Sequence, residues 1–95
     1  MRFLYVFPPT LKSGYALAVE QLKYGELLVC NAQCLRDSAP DKAIARAVCR
    51  ARLRAGQYQV MSMEQLLTYV HTISGVTMPL SALRNELGLD DAAVD

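Results

Sequence analysis

Two hydrophobic periods divide the chain. Arg2 to Phe7, RFLYVF, is a short run of aromatic and β-branched residues that stops at Pro8-Pro9, and it predicts a strand closed by a rigid extended turn. In the following stretch, TLKSGYALAVEQLKYGELLVCNAQCL, two patterns compete. Leu11, Tyr15, Ala18 and Leu22 keep helical spacing, while Tyr15, Leu17, Val19 and Gln21 alternate as a strand would. Gly14 and Gly25 fall at the edges of YALAVEQLKY, where turns belong, and LLVCNA is strand-like by itself. The pattern therefore predicts a hairpin joined at Lys23-Tyr24-Gly25-Glu26 and a three-stranded meander. A helix over residues 11–23 is the alternative.

From Ser38 to Gly56 the period becomes 3.6. Ser38 is placed to cap a helix, Pro40 sits where its missing N–H is harmless, Asp41 is near the positive end of the dipole, and Gly56 closes the segment. Lys42, Arg46, Arg50 and Arg54 recur every four residues as one ridge, with Arg36 and Arg52 nearby. Ile44, Ala47, Val48, Ala51 and Ala55 are expected to form the apolar side, so that the ridge faces solvent. On that reading, replacing the four ridge cations by glutamine leaves the fold intact. Gln57 to Met61 predicts a short fourth strand or an extended connector.

Ser62 and Gln65 form a capping-box pattern ahead of the stripe Met63, Leu66, Leu67, Val70 and Ile73, which faces either the core or a second subunit. Gly75 ends that helix. Pro79 opens a third helix with Leu80, Leu83 and Leu87 on one side and Gly88 at its end, and the acidic residues 89–95 read as a frayed tail. The whole predicts one α+β domain over residues 1–95: a small antiparallel β-sheet, a meander, packed on a central basic helix, with two further C-terminal helices.

Composition narrows the picture. At 95 residues there is room for a single core, and 53% hydrophobic residues exclude wholesale disorder. No apolar run approaches the roughly 20 residues that span a bilayer, and MRFLYVFPP is too short in its apolar part for a signal peptide. Three cysteines without repeated spacing fit free thiols and a reducing, cytoplasmic setting. The net charge of +1 conceals a segregation. Residues 36–54 carry six cations against Asp37 and Asp41, and residues 55–95 carry Arg84 against Glu64, Glu86, Asp90, Asp91 and Asp95.

Candidate chemistry is sparse. His71, the one histidine, lies toward the edge of its helix's apolar stripe, and no nucleophile or metalloprotease motif accompanies it, so no enzyme is expected. Zinc would need Cys30, Cys34, Cys49 and His71, whose spacing fits poorly; Cys30 and Cys34 on one strand stand roughly 13 Å apart at ~3.3 Å per residue. The five glycines fall at element boundaries and build no phosphate loop, so no cofactor is expected. Nucleic-acid binding through the basic ridge is the alternative function. Against it stand a pI of about 7.7, aromatics not interleaved with cations along the sequence, and an acidic end. LSALRNELGLD resembles the start of a helix-turn-helix, but Asp90, Asp91 and Asp95 would occupy its recognition helix. A protein-binding module fits better. Arginine outnumbers lysine on the helix, and its planar head suits interfaces. The candidate binding residues are Arg36, Lys42, Arg46, Arg50, Arg52 and Arg54.

One resemblance can be added. A hairpin, a cysteine, an Asp-containing loop and the helical pattern D-K-x-I-A-R-A (Asp41, Lys42, Ile44, Ala45, Arg46, Ala47) resemble small accessory proteins of bacteriophages and prophages over Tyr15–Gln57. The resemblance implies a cofactor-free protein of the host cytoplasm that binds and blocks a host or competing protein, of antirepressor, anti-restriction or anti-CRISPR type.

Overall fold

The computed structural model describes residues 1–36 and 38–88. The acidic tail and Asp37 lie outside them. In chain order the elements are β1 (Arg2–Val6), β2 (Ser13–Gln21), β3 (Leu27–Leu35), α1 (Ala39–Arg54), β4 (Gln59–Met61), α2 (Met63–Ser74) and α3 (Leu80–Leu87). The strands form one antiparallel sheet in the order β1-β2-β3-β4: the expected α+β meander, to which Gln59–Met61 adds a fourth strand rather than a connector. Residues 13–21 are strand, so the helical alternative for 11–23 does not form.

The two faces of the sheet are built from different residues. Alternation along β2 and β3 sends Leu17, Val19, Leu27 and Val29 to one face, where they meet Leu4 and Val6 of β1 and the buried Met63, Leu66, Val70, Leu83 and Leu87 of α2 and α3. The other face is small: Ala16, Ala18, Cys30, Ala32 and Cys34 pack on Ala45 and Cys49 of α1. Helices thus cover both faces, and the stripe of α2 faces the core. This double burial explains why β2 kept two periods in the sequence. A strand buried on both sides is apolar throughout, so nothing polar marks its alternation.

Caps and turns follow the sequence closely. Ser38 Oγ accepts from the Asp41 N–H at 3.1 Å, and Ser62 and Gln65 close their reciprocal box at 3.2 and 2.8 Å. The β2–β3 connection turns on Tyr24 (φ 61°) and Gly25 (φ 74°), both left-handed, with Glu26 N–H donating to Lys23 C=O at 3.3 Å. This is the primed turn that matches strand twist. Gly14 is required for another reason. A Cβ there would stand 2.2 Å from the Val6 carbonyl oxygen and 2.8 Å from Phe7 Cδ1, because the end of β1 crosses close over it.

The apolar side of α1 differs from the sequence expectation. Its buried residues are Ala45 and Cys49, with Val48 and Leu53 half-buried, whereas Ile44 is 62% exposed and Ala47, Ala51 and Ala55 are exposed. At ~100° per residue the buried face lies roughly a third of a turn from the expected one. The reason is the ridge itself: long cationic stems lie along apolar surface rather than opposite it, so cations occupy the flank of the packed face.

Tyr24 is 93% exposed, so its side chain contributes little packing to offset a left-handed backbone. The variant Tyr24→Asn should be more stable by about 1 kcal/mol, read as a raised denaturant midpoint with an unchanged slope.

Candidate functional site

The aromatics of β1 set the position of the cations. Phe3, Tyr5 and Phe7 alternate onto the α1 face of this edge strand and pack half-buried against the small-residue core. Beside each ring stands a cation: the Arg50 guanidinium is 5.4 Å from the Phe3 centroid, Lys42 Nζ 5.1 Å from that of Tyr5, and the Arg36 guanidinium 5.4 Å from that of Phe7. Arg46 Nη1 donates to the Tyr5 hydroxyl at 2.8 Å, and Arg36 Nη2 donates to the Pro8 carbonyl at 2.5 Å. The result is a cation–aromatic seam between β1 and α1.

The six candidate residues are therefore divided. Arg36, Lys42, Arg46 and Arg50 lie in the seam. Arg54, exposed, continues it to the last residue of α1 and lines a shallow pocket of about 310 Å³ with Met1, Phe3, Arg50 and Leu53. Arg52 is on the opposite flank of the helix, where its Nη1 donates to the Asn31 carbonyl of β3 at 2.5 Å. The sequence reading missed Phe3, Tyr5 and Phe7 as members of the surface. Their signal was present as aromatics at i, i+2 and i+4 in RFLYVF, one face of a strand.

The remaining candidates are brought into no reactive arrangement. His71 is exposed and its Nδ1 lies 3.0 Å from Thr77 Oγ1. Among the described residues no group of His, Cys, Asp and Glu is placed to hold a metal ion. Cys30, Cys34 and Cys49 are buried free thiols. Cys49 Sγ sits 3.8 Å from the Ala16 carbonyl and 3.9 Å from the Cys30 carbonyl, midway between β2 and β3. A cleft of about 520 Å³ opens between Cys30, Asn31, Arg52, Gln57 and Tyr69. There Asn31 Nδ2 donates to the Tyr69 hydroxyl, and burial raises the Tyr69 phenol above its ordinary value. No described helix is long and apolar enough to cross a membrane.

No family model, curated protein or solved structure matches the chain. What the fold and its surface define is a small α+β domain whose largest concentration of charge is ordered on aromatic rings.

The seam changes what the ridge contributes to stability. Replacing Lys42, Arg46, Arg50 and Arg54 together by glutamine removes two cation–ring contacts and the Tyr5 hydrogen bond. The protein should still fold but lose about 2 kcal/mol, almost none of it from Arg54, as single reversions in denaturant titrations would apportion.

Burial also acts on the thiols. It pushes Cys49 up from 9.0 to about 11, with nearby Cys30 adding to the effect, and it raises Cys34 together with Asp41. Because the folded thiol keeps its proton to higher pH than the unfolded one, this stability is complete below pH 9 and lost as pH rises from 9 through 11. Denaturant midpoints should fall across that window. At pH 8 a thiol reagent should label Cys49, which is fully buried, only as fast as the protein unfolds.

Proposed function

We propose that this chain is a non-enzymatic protein-binding module that acts stoichiometrically on an acidic protein partner through the seam of β1 and α1. The observation that carries this reading is the set of cations on rings, Arg50 on Phe3, Lys42 on Tyr5 and Arg36 on Phe7, with Arg46 donating to the Tyr5 hydroxyl. Arginine and aromatic side chains dominate the energetic centres of protein interfaces, because they combine apolar area with directional polar contacts at small conformational cost. Here they are already ordered by one another, which lowers the entropy lost on docking. Arg54 and the adjoining pocket extend the surface to a point where a partner side chain can insert. A phage-encoded antagonist of a host or competing protein, the class that Tyr15–Gln57 resembles, is the biological setting this reading implies.

A second reading rests on the same interleaving. Rings alternating with cations along a strand edge are also the surface on which single-stranded nucleic acid stacks and pairs its phosphates.

The double variant Arg50→Gln/Arg54→Gln separates these readings from no function at this surface. Immobilised wild type should retain an acidic protein at saturating one-to-one stoichiometry from its native extract, and the double variant should lose it. Equal retention by both would remove the seam as the interface. Binding of arbitrary single-stranded oligonucleotides, weakening steeply between roughly 50 and 200 mM salt, would favour the second reading.

A further inference from the structure

The opposite edge of the sheet is built to a different pattern. β4 pairs only with Leu27–Val29 of β3, which leaves Cys30–Leu35 with no neighbouring strand on that side. Two main-chain groups of this open stretch are occupied by side chains of α1: the Asn31 carbonyl accepts from Arg52 Nη1, and the Leu35 N–H donates to the Asp41 carboxylate. Both are odd-numbered, so the odd residues point their main chain outward, and Gln33 between them does the same.

We propose that this edge pairs with a second copy of the chain, β3 against β3 in antiparallel register about Gln33. Charge and geometry select that occupant. An antiparallel pairing centred on Gln33 sets Asn31 opposite Leu35 of the other copy, so the Arg52 end of one edge meets the Asp41 end of the other, twice, by symmetry. A pairing in parallel register would bring like charges together. The two-fold axis then stands perpendicular to the sheet and puts both α1 helices on the same face. Cys49 places each α1 midway between β2 and β3, so the two helix axes fall about two strand spacings apart, near 10 Å, a separation at which helices pack.

Between Asp41 and Arg52 the flank of α1 that turns toward this edge is apolar. Ile44, 62% exposed, and the half-buried Val48 line a groove of about 410 Å³ with Asn31, Gln33 and Arg52. A monomer leaves Ile44 in water. In the pair, Ile44 and Val48 of the two copies face each other across the axis, and Arg52 and Asp41 exchange their present main-chain contacts for each other while the strands satisfy those groups.

Sedimentation equilibrium tests the pairing. Wild type should show twice the 10.5 kDa chain mass at tens of micromolar. Gln33→Pro removes the central outward N–H without touching the bonds to β2, and it should weaken association by about a hundredfold while the circular dichroism spectrum is kept. Ile44→Glu acts at an exposed helix position and should weaken it by at least about tenfold, which decides the matter if the proline variant fails to fold. A wild type that is monomeric up to about 1 mM, or a dimer that survives Ile44→Glu unchanged, would overturn the proposal.

Discussion

The close approach of α1 to one face of the sheet is the constraint on which the rest depends. It is made possible by the alternation of small with large residues along β2 and β3: Ala16 and Ala18, Cys30, Ala32 and Cys34 on one face, Leu17, Val19, Leu27 and Val29 on the other. Where the sheet presents alanine and cysteine, and the helix presents Ala45 and Cys49, nothing holds the backbones apart. A helix lying low over a sheet brings its flanks down as well. Side chains a quarter-turn from the packed line then reach the sheet's edges instead of projecting into solvent.

Each flank of α1 consequently meets a different edge. On the β1 side, long cationic stems extend over Phe3, Tyr5 and Phe7, and the rings fill the space that alanines leave empty at the centre. On the β3 side, Arg52 and Asp41 reach main-chain groups of a strand that β4 only half covers. Exposed strand edges are a standing hazard, and charged side chains are a common way to occupy them. Here one helix supplies side chains to both edges, with Pro8 and Pro9 ending β1 on the first, while on the second, among the described residues, only the Asn31 carbonyl and the Leu35 N–H are occupied.

Much of the fold was legible in the sequence because it is written in local chemistry. Ser38, Ser62 with Gln65, Gly25, Gly75 and Gly88 act through neighbours only a few residues away, and the hairpin turn and the helix ends follow from them, whereas Gln57 to Met61 left strand and connector open. The orientation of α1 was not legible. Helical periodicity shows that residues share a face but not which face is buried, and the cations were assigned to solvent because charge is usually found there. Only the position of three rings more than thirty residues away sets Lys42 and Arg46 half-buried and lays the still exposed Arg50 against Phe3. Those rings were visible as a strand face in RFLYVF, yet nothing in the sequence states that this strand lies beside α1.

The geometry of Cys49 shows why the two flanks cannot be altered separately. Its sulfur rests between the carbonyls of Ala16 and Cys30, so it fixes both the height of α1 and its position across the sheet. A larger side chain there would lift the helix, and a lift withdraws Lys42 and Arg50 from their rings as it withdraws Arg52 and Asp41 from β3. A sideways shift instead favours one edge at the other's expense. The buried thiol is thus a spacer whose size matters more than its reactivity: burial keeps it protonated and inert, and its small volume lets a single helix hold an ordered cation seam on one side and an open strand edge on the other.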